Sequence, residues 1–340
     1  MVTISLCMIV KNEEGILARC LDSIVDLVEE VVIVDTGSAD RTREIAALYT
    51  SRIYDFAWTD DFSAARNYAF SKAGMDYIYS ADADEVLSPE NRERFRKMKE
   101  SLLPEIEIVQ MKYANQLRFA TVYNYDEEYR PKLFKRKRDF VWEAPIHETI
   151  RLTPVVYDSD IVIDHMPGES HARRDLDNFH RHCSTGYYLP KRLHTMYARE
   201  LFLAGEAEDF SRAMSFFITS AGDGSRGREE IAEACCVVAR AARLAGDAIL
   251  FFKYASKVIA EEACSEICCE MGHFYEDRQD LEEAAVWYYN AVYETSPILC
   301  IRSGDREGLE GLLRCYEGLG DQVQVQVYRT ELLRLIAEGK

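Results

Sequence analysis

The sequence predicts an α/β domain with a mixed, mainly parallel sheet over residues 1–170, followed by an all-α domain over residues 171–340. Apolar strands alternate with helical patterns as far as Pro89, which is typical of strand–helix–strand units and a parallel sheet. From about His171 onward the apolar residues have helical spacing, broken at regular intervals. A chain of 340 residues is also long enough for two domains.

The α/β pattern is clearest before Pro89. Short apolar runs predict strands, and apolar residues three and four apart predict the helices between them. The predicted strands cover residues 3–10, 30–35, 52–56 and 76–81, and the predicted helices cover residues 14–28, 41–49 and 62–73.

The pattern changes after Pro89. A charged helix is predicted over residues 90–102, and only β-like segments follow it, at 107–113, 117–123, 132–135, 140–142 and 155–165. With so few helices, this stretch does not continue the strand–helix alternation. We expect it to form a mixed edge of the sheet that covers a cleft.

Four short breakers divide the second half of the chain into helix pairs. They are Gly205-Glu206, Gly246-Asp247, Gln279-Asp280 and Gly320-Asp321, at intervals of 41, 33 and 41 residues. These intervals are close to the tetratricopeptide period of about 34 residues with insertions. The clearest unit runs from Cys268 to Pro297 and places Gly272 and Tyr275 on a first helix and Ala284, Tyr288 and Ala291 on a second. Its small residues would let paired helices approach while the aromatic residues fill the gaps between them. A plain irregular helical bundle is the alternative.

Composition excludes several classes of function. The chain has 59 acidic and 41 basic residues, a net charge of −18, whereas binding of nucleic acid phosphates needs clustered Lys and Arg. Residues 1–10 lack a positive leader, and no stretch approaches the roughly 20 apolar residues of a membrane span. We therefore expect a cytoplasmic protein with no nucleic acid partner and no transmembrane segment.

The ten cysteines include no CxxC pair. Cys264, Cys268 and His273 are a weak candidate for a zinc site. We interpret the cysteines as buried apolar residues of helices, as is usual for free cysteines in a reducing compartment.

Three carboxylates stand within four residues at the end of the predicted strand 76–81, at Asp82, Asp84 and Glu85. Carboxylates this close repel one another unless they hold a cation, and Mg²⁺ or Mn²⁺ prefers such oxygen ligands together with substrate phosphates. We predict that Asp84 binds the metal and that Asp82 points to a ribose or to the water shell of the metal. A solvated acidic turn is the alternative.

Polar residues also follow the first predicted strand, where nucleotide contacts are expected in an open α/β sheet. The segment Val10, Lys11, Asn12 and Glu14 contains no glycine, which excludes a Gly-rich phosphate loop at this position. These residues are candidates to contact a base or ribose. Alternatively, Asn12 caps the following helix with Glu14 as its partner.

Two further residues are candidates for nucleotide contacts. Asp35 ends the second predicted strand, where it could bond a base or ribose, or form a turn before Gly37. Arg66 lies on the helix that precedes the acidic strand end, and its planar guanidinium suits a base or a diphosphate. A salt bridge from Arg66 to Asp60 or Asp61 is the alternative.

The segment 142–148 contains the candidate general bases. Glu148 is the first candidate, with Glu143 and His147 as rivals, because a base must be a carboxylate or imidazole that the metal does not neutralise. His165 ends an apolar run, and we predict it to be either a metal ligand or a structural histidine. The basic segment 130–138 is a candidate to face a departing diphosphate, or a solvated loop.

Taken together, these motifs resemble those of the family 2 glycosyltransferases with a GT-A fold. The resemblance rests on the order and spacing of four segments, Ser5–Glu14, Ile33–Asp40, Asp61–Asn67 and Ala81–Glu85. The second half resembles the tetratricopeptide-like extension of some members, including the SunS-type peptide S- and O-glycosyltransferases and flagellin-modifying enzymes.

The resemblance implies an inverting transfer from a UDP-sugar, with Mn²⁺ or Mg²⁺ as cofactor. The residues at matching positions are the nucleotide contacts Asp35 and Arg66, the DxD residues Asp82 and Asp84, and the late metal ligand His165. The usual acidic pair near the acceptor is not recognisable, and Ile146-His147-Glu148 is its nearest substitute. The base therefore stays open between Glu143, His147 and Glu148.

The expected reaction moves a hexose or N-acetylhexosamine to a hydroxyl or thiol. Stacked helices form extended concave surfaces, which favours Ser, Thr or Cys of a peptide or protein as the acceptor. The alternatives are a saccharide or lipid-linked acceptor in cell-surface glycan synthesis, a sugar nucleotidyltransferase, and a non-catalytic peptide-binding scaffold. The sequence does not fix the oligomeric state, and a homodimer through the helical domain is one candidate.

Overall fold

The computed structural model of the protein describes residues 1–114, 128–150, 155–166 and 172–337. Contacts within the chain divide it into two compact units, Met1–Ser170 and His171–Lys340. The β-like segment predicted over 117–123 lies outside the described residues.

An eight-stranded sheet forms the centre of the first unit, in the order β3-β2-β1-β4-β7-β6-β8-β5. Its strands are β1 (Ile4–Val10), β2 (Glu30–Asp35), β3 (Ile53–Asp55), β4 (Tyr77–Ser80), β5 (Glu85–Val86), β6 (Ile108–Ala114), β7 (Glu128–Lys135) and β8 (Val156–His165). Among the described strands, β1 is parallel to β2 and β4, β2 to β3, and β6 to β8, whereas β4–β7, β6–β7 and β5–β8 are antiparallel. The predicted mixed, mainly parallel sheet is confirmed.

Helices cover both faces of this sheet. They are α1 (Leu17–Ile24), α2 (Thr42–Ala46), α3 (Phe62–Ser71) and α4 (Pro89–Ser101), and a 3₁₀ turn, Val25–Leu27, continues α1. Apolar residues of α1 and α4 pack with one face of the sheet, and those of α3 pack with the other. Strands covered on both sides are expected to carry unbroken apolar runs, as β1 does over Leu6–Val10 and β2 over Val31–Val34.

The segment 140–142 is not a strand, so that prediction was wrong. Trp142 instead packs in the core against Phe70 of α3 and Phe134 of β7, with ring centroids 5.8 Å and 5.6 Å away. Its backbone is held by the side chain of Asn67, which accepts from the Trp142 N–H at 2.9 Å and donates to the Trp142 carbonyl at 3.0 Å. Hydrogen bonds from the Asn67 side chain thus hold the Trp142 backbone, in place of the backbone hydrogen bonds that a neighbouring strand would make.

The second unit is helical throughout its described residues. Its helices are α5 (Ala172–Ser184), α6 (Lys191–Ala204), α7 (Ala207–Gly222), α8 (Arg228–Leu244), α9 (Ala248–Glu261), α10 (Ser265–Glu276), α11 (Leu281–Tyr289), α12 (Arg306–Leu319) and α13 (Gln322–Ala337). Each of the four predicted breakers lies between two of these helices. No helix in the described ranges combines the length and the apolar character that a membrane span requires.

Small residues of the second unit pack against an aromatic ring, as the sequence predicts, and the structure pairs Gly272 of α10 with Tyr288 of α11. A Cβ atom at Gly272 would lie 2.7 Å from the Tyr288 ring, and a Cβ at Gly311 of α12 would lie 2.5 Å from it. The two glycines thus allow α10 and α12 to approach the fully buried ring. The predicted zinc alternative is not supported, because His273 instead lies against the Tyr288 hydroxyl, 2.7 Å away.

Candidate functional site

Parallel pairing brings the carboxyl ends of β1, β2 and β4 to one edge of the sheet. Val10 lies opposite Asp35 in the β1–β2 register, and Cys7 lies opposite Ser80 in the β1–β4 register. The loops that follow these three strands carry the predicted nucleotide and metal residues. This edge is therefore where a ligand of an open α/β sheet is expected.

Asp84 and His165 meet beside this edge. β5 pairs antiparallel with β8, which places Glu85 opposite His165. The imidazole Nε2 of His165 lies 3.1 Å from the Asp84 carboxylate Oδ2, and both side chains are largely buried. The His165 ring also packs against Tyr113, with centroids 5.1 Å apart.

This pair suits a small divalent cation. Neighbouring ligand atoms at about 2.1 Å from one Mn²⁺ or Mg²⁺ are about 3 Å apart, close to the observed separation of Asp84 Oδ2 and His165 Nε2. A carboxylate and an imidazole are also acceptable ligands for Mn²⁺. The residues present therefore fit the predicted metal.

Arg66 joins three groups at the same edge. Its Nη2 donates to Asp82 Oδ1 at 2.7 Å, its Nη1 donates to Ser80 Oγ at 3.3 Å, and its Nε donates to Glu148. The guanidinium also lies 5.1 Å from the centre of the Trp142 ring. The structure thus brings the predicted residues Arg66, Asp82 and Glu148 together.

The charges of this cluster reinforce one another. Burial raises the pKa of the Asp82 carboxyl, but the positive charges of Arg66 and Lys132 outweigh burial and hold that pKa well below its usual range. Burial lowers the pKa of the Arg66 guanidinium, but the carboxylates of Asp82 and Glu148 outweigh this and raise it. Asp82 and Arg66 are therefore both charged at neutral pH.

The predicted alternative for Arg66, a salt bridge to Asp60 or Asp61, does not form in the structure. Asp61 caps α3 by accepting from the Ala64 N–H at 3.1 Å, and Asp60 accepts from the Trp58 indole N–H at 2.8 Å. Both acids are used locally, which leaves the guanidinium directed at the strand end.

The three candidate bases lie in a short loop after Trp142. Glu143 and Thr149 exchange two backbone hydrogen bonds that close this loop, at 2.9 Å and 3.0 Å. His147 has a φ of 46°, a left-handed conformation that is uncommon for residues other than glycine. Glu148 alone among the three is bonded to Arg66, which occupies one of its two carboxylate oxygens.

Sequence reasoning missed a buried ion pair next to the acidic motif. Lys132 of β7 donates its ammonium to Glu85, and its Nζ also lies 3.4 Å from the Ser80 carbonyl oxygen. Both residues are buried, and burial, opposed by Lys132, raises the pKa of Glu85 to about 7. Strand alternation does not signal this pair, because Lys132, Leu133 and Phe134 are buried in succession and the β6–β7 register shifts beside Lys132.

Most of the basic segment 130–138 has local partners. Lys135 and Arg136 donate to the backbone carbonyls of Pro104 and Met75, and Arg138 pairs with Glu107 at 2.9 Å. Only the strand part of the segment, with Lys132, reaches the acidic motif. The solvated-loop alternative was wrong for residues 130–135, which belong to β7, whereas Lys137 and Arg138 are exposed in the 3₁₀ turn Arg136–Arg138.

The loop after β1 binds the loop after β2. Asn12, at φ 56°, donates its N–H to Ser38 Oγ at 3.0 Å and accepts from the Ala39 N–H at 2.8 Å. Glu14 accepts from the Arg41 N–H at 2.9 Å. Asn12 therefore does not cap α1, and the predicted helix start at residue 14 was wrong, because these bonds hold the chain outside a helix until Leu17.

Asp35 performs the predicted turn role. Its Oδ1 accepts from the Gly37 and Ser38 N–H groups at 2.9 Å and 2.8 Å, and Gly37 has a φ of 103°. Val10 is buried and accepts from the Thr36 N–H at 3.0 Å, while the adjacent Lys11 is exposed.

Comparison with known proteins finds sequences similar to the first unit. Residues 5–152 match the family model described as "Glycosyl transferase family 2". Over 150 residues the chain is 38% identical to a TPR repeat-containing protein of Synechococcus elongatus, which covers 44% of this chain and 36% of that protein. Over 99 residues it is 34% identical to the SPbeta prophage-derived glycosyltransferase SunS of Bacillus subtilis, which covers 28% of this chain and 23% of SunS.

Among solved structures, glucosyl-3-phosphoglycerate synthase from Mycobacterium tuberculosis, in complex with Mn²⁺ and UDP-glucose, matches with a TM-score of 0.40. The sequence identity is 14%, over 54% of this chain and 78% of the synthase chain. The matched part of this chain spans well under half of the length of both sequence relatives: 36% of the Synechococcus elongatus protein and 23% of SunS.

Proposed function

Residues 5–152 match the model of glycosyl transferase family 2, and from this premise we propose that the chain is a member of that family and transfers a sugar from a UDP-sugar to a peptide or protein. The transferred group would be a hexose or N-acetylhexosamine, and the acceptor a hydroxyl or thiol of Ser, Thr or Cys. The observation that carries the proposal is the meeting of Asp84 and His165 next to the paired Asp82 and Arg66.

Asp84 and His165 would hold Mn²⁺ or Mg²⁺, with Asp82 directed to the ribose or to the water shell of the ion. When bound, the ion would offset the negative charge that grows on the departing UDP diphosphate. The protein would hold both ligand side chains in place, because each is already fixed by the β5–β8 pairing and by burial.

Arg66 would orient the donor at the strand end. Its guanidinium offers N–H donors in a fixed plane, which suits the paired oxygens of a diphosphate or the edge of a base. Val10, Lys11, Asn12, Glu14 and Asp35 are proposed as the wall of the nucleotide site. The bonds between the two loops that carry them make this wall rigid.

Glu148 is proposed as the general base. Arg66 binds one of its carboxylate oxygens and would thereby orient the other oxygen toward the acceptor proton. Loss of that proton as the acceptor attacks the anomeric carbon, opposite the leaving UDP, would give inversion in one displacement. His147, which precedes Glu148 in the same loop, is the proposed alternative.

The helical unit is proposed to bind the acceptor as a tetratricopeptide-like domain. Its packing of small residues against aromatic rings, as at Gly272 and Tyr288, is the feature that supports stacked repeats. A cytoplasmic location and a homodimer through this unit remain predictions, which cell fractionation and size-exclusion chromatography would check.

The test is turnover of UDP-sugars by the full chain with Mn²⁺, measured as UDP released and as mass added to Ser, Thr or Cys peptides. Asp84→Ala should abolish both signals while leaving the melting temperature without ligand nearly unchanged. As a control, Glu90→Gln changes an exposed acid whose ion pair, among the residues that the structure describes, is with Arg94, and it should retain full turnover. Undiminished UDP release by Asp84→Ala would reject the proposed site, whereas transfer to saccharides alone would reject only the peptide acceptor.

A further inference from the structure

A cavity of about 640 Å³ lies within the helical unit, lined by residues between His180 and Arg226. This volume falls in the range of about 300–1,000 Å³ that is typical of small-molecule sites. The cavity is formed by α5, α6, α7 and the segments that connect them, so every residue around it belongs to one compact unit.

The charge of the cavity is opposite to that of the chain. Its lining includes Arg181, Arg212 and Arg226 but only one acid, Asp223, in a protein with a net charge of −18. The Asp223 carboxylate is occupied locally, since it accepts from the Ser225 N–H at 2.9 Å and from the Ser225 hydroxyl at 2.7 Å. The lining side chains thus carry more positive than negative charge, although Glu230 and Asp177 pair with Arg226 and Arg212 from outside the lining. An anion is the ligand that these arginines would attract.

Arg226 has a buried donor with no partner. Its side chain is only 3% exposed, its Nη1 donates to Glu230 at 2.6 Å, and its Nη2 donates to the Leu189 carbonyl at 3.2 Å. Its Nε is also buried, and within the described residues it has no hydrogen-bond partner. A buried N–H without a partner is costly, so an oxygen of a bound anion would relieve that cost.

Part of the remaining lining is aromatic, and one of its hydroxyl groups is held in place. Tyr187, Tyr188 and Tyr197 all line the cavity. The Tyr197 hydroxyl is 2.6 Å from the His180 Nδ1, which fixes its position. A ligand would thus meet flat apolar surfaces next to cationic groups, an arrangement suited to an anion attached to a ring.

We propose that this cavity binds a small organic anion, with a phosphate or carboxylate group among the three arginines and a ring against the tyrosines. Phosphate and carboxylate share the charge and the paired oxygens that guanidinium groups bind. The cavity lies in the helical unit, and the proposal does not depend on glycosyl transfer.

The test uses the full chain in buffer with EDTA, so that metal-dependent binding at the first unit does not contribute. The probes are phenyl phosphate and benzoate, with phenol as the neutral comparison, and binding is measured by calorimetric titration. We expect at least one anionic probe to bind more tightly than phenol. Which of the two anions binds more tightly identifies the preferred group.

Two variants locate the binding. Arg212→Gln removes a partly exposed arginine whose one ion pair is with Asp177, and should weaken binding by about tenfold or more. The control Arg329→Gln changes an arginine of similar exposure that pairs with Glu317 outside the cavity, and should bind as the unmodified chain does. Tyr187→Ala should weaken the binding of phenyl phosphate more than the binding of inorganic phosphate, because only phenyl phosphate has a ring.

Three results would overturn the proposal. They are no binding of either anionic probe at millimolar concentration, equal affinity of the Arg212→Gln variant and the unmodified chain, and binding of an acidic peptide without binding of either small anion.

Discussion

The imidazole Nε2 of His165 lies 3.1 Å from the Asp84 carboxylate Oδ2, although 81 residues separate the two in sequence. Their meeting follows from the antiparallel pairing of β5 with β8, which sets Glu85 opposite His165. A carboxylate and an imidazole held together and shielded from water are suited to hold a cation in a fixed position.

His165→Ala should weaken Mn²⁺-dependent UDP binding by at least about tenfold, because it removes one of the two proposed protein ligands. The measurement is the rise in melting temperature on adding UDP, with and without Mn²⁺. EDTA should abolish that rise in the unmodified protein. His182→Ala, in the helical unit, is the matched control and should behave as the unmodified chain. An undiminished Mn²⁺ effect in His165→Ala would remove this histidine from the metal site.

Arg66→Ala should lower the free energy of unfolding of the first unit by about 3 kcal/mol, because it leaves the buried carboxylate of Glu148 and the partly exposed carboxylate of Asp82 without their cation. Urea unfolding followed by tryptophan fluorescence would measure it. Adding Glu148→Gln to Arg66→Ala should recover part of the loss.

The control for Arg66 is Arg41→Ala, which breaks an exposed ion pair with Glu44 and should cost at most about 1 kcal/mol. If both arginine variants lose the same free energy of unfolding, the ion pairs of Arg66 contribute no more to stability than an exposed ion pair does.

The sequence was sufficient for features that depend on local pattern. The apolar runs of β1, β2 and β4 end at polar residues, and parallel pairing then brings those ends to one edge without further information. The same holds for the breaker Gly320, whose φ of 76° ends α12 in the left-handed conformation that glycine favours.

Contacts between distant segments could not be predicted in this way. The Lys132–Glu85 pair spans 47 residues and the Arg66–Glu148 pair spans 82. Both depend on where the chain returns to the sheet after β6, and strand periodicity does not specify which strand will be the neighbour. The role of Asn12 was mistaken for a similar reason, because its bonds to Ser38 and Ala39 replace a local cap.

The stability of the helical unit should depend on pH through Glu307. Burial raises the pKa of this carboxyl, but hydrogen bonding to His273, the charge of Arg240 and the Ser303 hydroxyl outweigh burial and lower the pKa to about 2 from an ordinary 4.5. A lowered folded-state pKa gives stability that is present above pH 4.5 and is lost as the pH falls toward 2.

Glu307→Gln should therefore destabilise the unit by about 1–3 kcal/mol near neutral pH, with the difference from the unmodified chain shrinking below pH 4.5. Urea unfolding followed by circular dichroism across this range would measure it. Glu310→Gln, at an exposed pair with Arg306, is the control and should show little difference at any pH. If the difference in unfolding free energy between Glu307→Gln and the unmodified chain stayed constant down to pH 2, Glu307 would not be the lowered-pKa carboxylate assigned to it.

Gly272→Ala should destabilise the helical unit by about 1–3 kcal/mol, since the new Cβ would lie 2.7 Å from the Tyr288 ring. That ring cannot easily move, because its hydroxyl is bonded to His273 and Glu276 at 2.7 Å and 2.6 Å. Gly222→Ala, on α7 with nothing within 4 Å of its Cβ, is the matched control and should be neutral or gain up to about 1 kcal/mol. Thermal unfolding compares the two, and a Gly272→Ala melt at or above that of the unmodified chain would mean that α10 and α11 do not need this close approach.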